Sequence, residues 1–98
     1  MPTVEANGIN IYYEIHGNEE GEPVIFANGV FANTLSWFNQ APVFSKKYKV
    51  ILYDMRGQGQ SDHPDGNYTI ELHAEDQKAL LDGLSIHRVN HIGISYGA

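Results

Sequence analysis

The stretch Val89-Asn90-His91-Ile92-Gly93-Ile94-Ser95-Tyr96-Gly97-Ala98 decides the reading of this chain. Its first half is a short apolar run broken by Asn90, His91 and Gly93, the composition of a strand. Its second half places a serine between glycines two positions before and two after: Gly93-x-Ser95-x-Gly97. That spacing has a steric meaning. A serine thrust out of a very tight strand-to-helix turn has strained backbone angles, and a side chain at either flanking position would strike the neighbouring backbone. With ten glycines among 98 residues the three-residue pattern carries little by itself. Its place at the end of a strand, where open α/β sheets put their sites, gives it weight.

Working back towards the amino terminus, two more apolar runs precede this one. Val24-Ile25-Phe26-Ala27 and Val50-Ile51-Leu52-Tyr53 are continuous, the habit of strands covered on both faces in a parallel sheet. The intervals between runs are long enough for crossover helices. Residues 34–47 carry Leu35, Trp37, Phe38, Val43 and Phe44, read as packing of a helix on the sheet, with Pro42 breaking or restarting it. Residues 68–84 form a better helix, with Thr69 as N-cap and Ile70, Ala74, Leu81 and Leu84 along one stripe. Gln77 in that stripe has no explanation at this level. The opening differs: Val4-Glu5-Ala6 and Ile9 to His16 alternate around Asn7-Gly8, a hairpin whose tight turn needs positive φ. Ile9, Ile11, Tyr13 and Ile15 share one face of it. The expected fold is α/β: an antiparallel hairpin, then parallel strands with right-handed crossover helices.

Composition narrows the function classes. Twelve carboxylates oppose six Lys and Arg, a formal net charge of −6. This disfavours nucleic acid and anionic membrane surfaces as partners. No apolar run approaches the roughly 18–20 residues needed to span a bilayer, and the first residues lack the basic and apolar segments of a secretory signal. Zero cysteines exclude thiolate chemistry and disulfides. The expected location is cytoplasmic. No cofactor is expected. His87-x-x-x-His91 mimics a helical zinc pair, but a loop leading into a strand splits it, so no metal is expected. Gly57-x-Gly59 precedes Asp62-His63-Pro64-Asp65-Gly66, which is a turn and not the helix a dinucleotide loop requires.

Three segments in order carry a family resemblance: Phe26-Ala27-Asn28-Gly29-Val30, Asp54-Met55-Arg56-Gly57-Gln58-Gly59-Gln60-Ser61-Asp62, and the elbow at Ser95. Nearly all of the chain resembles the first part of α/β-hydrolase fold proteins, in the esterase- and lactonase-like branch that uses serine. The resemblance implies that residues 1–98 are the amino-terminal part of a single hydrolase domain with an incomplete sheet. It implies Ser95 as nucleophile and the backbone N–H groups of Tyr96 and Val30 as the oxyanion hole, each such donor contributing about 3–4 kcal/mol to transition-state stabilisation. A serine in the elbow, not an aspartate, sets the chain apart from haloalkane and epoxide members. The implied substrate is a small-molecule ester, lactone, thioester, amide or related acyl compound, attacked to give an acyl-enzyme.

Two departures stand out. Asn28 occupies the place of the usual histidine before Gly29, so the hydrogen bonds bracing the oxyanion segment must differ. The triad acid and histidine, which follow the serine in this fold, have not appeared by Ala98. His91 lies four residues before Ser95 on one strand, roughly 13 Å away at about 3.3 Å per residue, out of reach as a base. It reads as a sheet-face histidine and His63 as a loop residue; His16, His73 and His87 read as surface positions. Asp54 and Arg56 read as loop braces. Losing the general base alone costs on the order of a million-fold in kcat. The 98 residues by themselves are therefore expected to be inactive, with a bare sheet edge open to self-association. The alternatives are a non-catalytic ligand-binding or signalling protein on the same scaffold, or a nonfunctional truncated remnant.

Overall fold

The computed structural model describes residues 2–28, 34–66 and 68–93. Val30, Ser95 and Tyr96 lie outside the described residues. Among those described, β1 (Thr3–Ala6) and β2 (Ile9–Gly17) pair antiparallel with Val4 opposite Ile11 and Ala6 opposite Ile9. Asn7 at φ 51° and Gly8 at φ 82° make the expected turn. Two successive positive φ values match the twist of the flanking strands. β2 then pairs antiparallel with β4 (Lys49–Tyr53), and β4 lies parallel to β3 (Pro23–Ala27). β5 (Asn90–Gly93) lies parallel on the other side of β3, giving the order β1-β2-β4-β3-β5.

Alternation along the central strands builds a core on each side of the sheet. Ile25, Ala27, Ile51 and Tyr53 point towards α2 (Ile70–Gly83), with Ile11, Leu80 and Ile86 in the same cluster. Val24, Phe26, Val50 and Leu52 point the other way, against Trp37 and Ala41. The continuous apolar runs in β3 and β4 are thus buried on both faces, as their composition requires.

The connection from β3 to β4 departs from a continuous helix. It is a 3₁₀ turn (Thr34–Trp37) followed by the four-residue α1 (Ala41–Phe44), with Pro42 in the first turn of α1. Proline has no N–H to continue a helix arriving from residue 34, but it fits where N–H groups are unpaired anyway. The 3₁₀ period of three then sets which residues face the sheet. Thr34 and Trp37 are buried, whereas Leu35 and Phe38, also three apart, are about three-quarters exposed at 74% and 72%. Val43 is exposed as well, so of the aromatic and aliphatic residues expected to pack here, Trp37 and Phe44 do so. Both meet Phe26 edge to face, with centroids at 4.7 and 5.3 Å.

α2 begins as its sequence predicts. Thr69 is extended, and its hydroxyl accepts the Leu72 N–H at 3.0 Å. The helix ends with Ser85 at φ 59°, Ile86 N–H donating to Leu81 O and Ser85 N–H to Asp82 O, a Schellman closure. Its packed stripe keeps the second half of the expected one, with Leu81 and Leu84 against the core, but departs from it in the first turns. Ile70 and Ala74 face solvent, while Asp76 and Leu80 are buried. A carboxylate turns inwards because a cation meets it there, as described below. Gln77 also finds its reason: its Nε2 donates to the Tyr53 hydroxyl at 3.3 Å and lies 3.2 Å from His91 Nδ1, joining helix to sheet.

Candidate active site

The carboxyl ends of the parallel strands converge at one edge of the sheet. Ala27, the last residue of β3, is registered with Gly93, the last of β5. The segments carrying Val30 and Ser95 are therefore joined to level ends of neighbouring strands. Around these ends the polar side chains form a frame. Asn28 is fully buried; its Nδ2 donates to Tyr53 O at 2.9 Å and to Gln58 Oε1 at 3.3 Å, and its Oδ1 accepts Trp37 Nε1–H at 2.6 Å. These are the bonds that the asparagine supplies where the resembling proteins usually carry histidine. Trp37 thus packs on Phe26 and also fixes the orientation of the amide.

The loop after β4 is the second part of the frame. Asp54 is buried, its Oδ1 accepting the Thr34 N–H at 2.8 Å and its Oδ2 the Gln60 N–H at 2.9 Å. Burial pushes its carboxyl above the usual range, against the pull of the Gln60 and Thr34 N–H groups. Gly59, at φ 47°, passes so close that a Cβ would fall 2.2 Å from Asp54 Oδ2. The Ser61 hydroxyl donates to Asp54 O and accepts Tyr12 N–H at 2.9 Å, while Asp62 Oδ2 accepts Asn10 N–H at 2.9 Å. Arg56 reaches α2, donating through Nε to Asp76 Oδ2 at 2.7 Å and through Nη2 to Oδ1 at 2.9 Å; Asn7 Nδ2 adds a third donor at 2.9 Å. Asp54 and Arg56 are braces, as expected, and the two glycines belong to a turn.

The histidines are spread apart. His91 is opposite Ile25 in the sheet beside Gln77, and His63 is exposed with Nε2 3.1 Å from Gly59 O. His16 is exposed and sits 2.8 Å from Glu14 Oε1. His73 is not the surface position expected. It is half-buried in the first turn of α2, its ring edge-on to Tyr68, and burial holds its pKa below the ordinary imidazole value. Among the described residues no three His, Asp or Glu side chains gather as a metal set. No helix described is long and apolar enough to cross a membrane.

A groove of about 400 Å³ runs along the α1 face, walled by Trp37, Phe38, Pro42 and Leu52 with Glu14 at its margin. Glu14 is already engaged by the Tyr12 and Thr34 hydroxyls and His16. Burial would raise its pKa, but those three hydrogen bonds outweigh it and hold the carboxyl below its usual value. Reciprocally, the bond to Glu14 and burial push Tyr12 up to about 12. The frame residues were missed as a network because their partners lie far apart in sequence; the polar residues after each apolar run were the available signal.

A sheet of this order, with its polar frame at the parallel carboxyl ends, defines a class. Residues 22–98 match the family described as the alpha/beta hydrolase fold, and the chain belongs to that family. It is 38% identical over 93 residues to a non-heme chloroperoxidase of Streptomyces lividans, covering 94% of this chain and 34% of that protein. It is also 38% identical over 95 residues to 3-oxoadipate enol-lactonase 2 of Acinetobacter baylyi, covering 97% and 36%. The crystal structure of the enol-lactonase from Burkholderia xenovorans LB400 superposes with a TM-score of 0.93 at 37% identity, over 98% of this chain and 38% of that one. The chain thus spans about a third of the length of these relatives. Its relatives with named activities support hydrolase chemistry at the family level.

Proposed function

We propose that the chain is the amino-terminal part of one α/β-hydrolase domain that acts as a serine hydrolase on lactones, esters or related acyl compounds. Ser95 Oγ attacks the acyl carbon and gives its proton to a histidine. The alcohol or other leaving group departs with a proton, and water then releases the acid from the acyl-enzyme. The N–H groups of Tyr96 and Val30 receive the developing oxyanion. The triad acid and histidine belong to the portion of the fold not represented in these 98 residues, so this portion alone does not turn over substrate. The observation carrying the proposal is that Gly93-Ile94-Ser95-Tyr96-Gly97 begins at the end of β5, level with the end of β3, in a chain of this family. The enol-lactonase relatives favour lactones as the first substrates to try.

A fluorophosphonate probe tests the proposal on the full-length gene product, since only an activated serine labels. Labelling and ester or lactone turnover, both abolished by Ser95→Ala, are expected. Turnover that survives Ser95→Ala sinks the assignment, and serine-dependent turnover by the 98-residue chain well above background overturns its inactivity.

A further inference from the structure

We infer that Asn28 and Asp54 are positioning residues for acyl transfer, fixing between them the two ends of the segment that joins β3 to the 3₁₀ turn. Asn28 is the first of those ends and Thr34 the last. Neither anchor is an ordinary surface contact. Asn28 is 0% exposed and Asp54 1% exposed, and a polar side chain with so little access to water is held firmly by its partners. The Asn28 amide spends its donors on Tyr53 O and Gln58 Oε1 and takes the Trp37 Nε1–H on its oxygen. Those partners come from the end of β4, the loop beyond it and the 3₁₀ turn. Asp54 takes the Thr34 N–H on one oxygen and the Gln60 N–H on the other, so one carboxylate ties the segment after β3 to the loop after β4. The Thr34 hydroxyl adds a bond to Glu14 of β2 at 3.1 Å. β2, β4 and the loop after β4 thereby contribute to holding Asn28 and Thr34.

The inference rests on the proposed reading of Ser95 and Val30. In sequence Val30 is two residues after Asn28 and four before Thr34, the residue that Asp54 holds. A donor that meets charge only in the transition state must be placed before reaction, and its misplacement slows chemistry without weakening substrate binding. The anchors should accordingly act on kcat and leave KM nearly alone. A scaffold role without positioning would instead lower the folded fraction.

The test uses the full-length gene product with a lactone or ester that it turns over. Asp54→Asn keeps the volume but turns an amide NH₂ against one of the two N–H groups, releasing one anchor. Asn28→Asp keeps the acceptor for Trp37 and sets a carboxylate against Tyr53 O and Gln58 Oε1. Each is expected to lower kcat by about 100-fold, the effect of a displacement of about 1 Å, with KM changed by less than about threefold. Trp37→Phe, a milder change that keeps the ring packed on Phe26, is expected to lower kcat by about tenfold and keeps the test open if the other variants do not fold. Lys78→Ala, which removes an exposed pair with Asp82, should leave both constants unchanged. Amide exchange at Thr34 should accelerate in Asp54→Asn. Variants that keep kcat, or that lose activity in proportion to folded protein, overturn the inference. If Ser95→Ala abolishes labelling while these variants keep kcat, this inference alone fails. If Ser95→Ala leaves labelling intact, the reading of the site fails and takes the inference with it.

Discussion

Replacing Arg56 by alanine should lower the stability of the protein by about 3 kcal/mol, the low end of what stripping a buried charge of its partner costs. The guanidinium meets Asp76 at two points, 2.7 and 2.9 Å, with side-chain exposures of 10% and 2%. Bonds to charged groups contribute about 1.5–3 kcal/mol each, but adding two such values ignores the desolvation that both ions undergo. What matters is the state left behind. Truncation leaves the Asp76 carboxylate buried on α2 with Asn7 Nδ2 still donating at 2.9 Å, and that bond keeps the loss near the low end. For a chain of this size the urea dependence is about 1–1.5 kcal/mol per molar, so the midpoint should fall by about 2–3 M. Arg56→Lys supplies a point charge in place of the fork and should lose about half as much, roughly 1.5 kcal/mol. Replacing both residues, Arg56→Met with Asp76→Leu, removes the orphaned charge and should be less destabilising than Arg56→Ala alone. Equilibrium urea unfolding followed by Trp37 fluorescence reads all four proteins. A midpoint shift under about 0.5 M for Arg56→Ala, or a double variant weaker than the single, would refute the reasoning.

Gly59→Ala should cost about 1–3 kcal/mol by thermal melting, because its φ of 47° disfavours a side chain and the new Cβ would strike Asp54 Oδ2. An unchanged melting temperature would show that the loop has room to move. His73 is held neutral by burial, with Asp76 and Arg56 nearby acting in opposite directions. The unfolded chain takes up its proton first as pH falls below about 6.5, so stability should drop through the window between that value and the lower folded pKa. His73→Gln should flatten that part of the pH–stability curve, and an unchanged slope assigns it elsewhere. In an ultraviolet tyrosinate titration, Tyr12 and Tyr53 should ionise late, near about 12, Tyr12 through its bond to Glu14 and Tyr53 through burial. Tyr12→Phe and Tyr53→Phe should each remove one late-titrating group.

The parts of the fold legible in sequence are those specified by neighbours in the chain. Asn7-Gly8 determines the hairpin turn because positive φ is a property of those residues, and Thr69 caps α2 because its hydroxyl reaches an N–H three residues on. The apolar runs locate β3 and β4 because strands buried on both faces need continuous hydrophobicity. What escaped depends on distant partners. The stripe through Ile70 and Ala74 is the more apolar one, yet α2 buries Asp76, since Arg56 arrives from twenty residues away. The connection at residues 34–47 has apolar content enough for a helix, but Thr34 is held by Asp54 and Glu14, and a 3₁₀ turn places it and Trp37 inwards together. Hydrophobic periodicity cannot report a threonine buried for its hydrogen bonds.

The same reasoning separates scaffold from chemistry in the segment Asp54–Asp62. Near a candidate site, an aspartate, an arginine and a serine invite assignment as acid, clamp and nucleophile. Here each is committed before any substrate arrives. Both Asp54 oxygens hold backbone N–H groups, the Arg56 fork is spent on Asp76, and the Ser61 hydroxyl bridges Tyr12 N–H and Asp54 O. A general acid or base needs a site open to the reacting atoms, which a carboxylate bonded through one oxygen to its own loop and through the other to Thr34 does not offer. The spacing of the motif therefore follows from one loop that must join β2, α2 and the segment after β3 within nine residues. Under the proposed reading its part in catalysis is indirect: it ties Thr34, Gln60 and Tyr12 to one loop at the carboxyl ends of the strands, and donors aimed at a transition state must be placed before reaction.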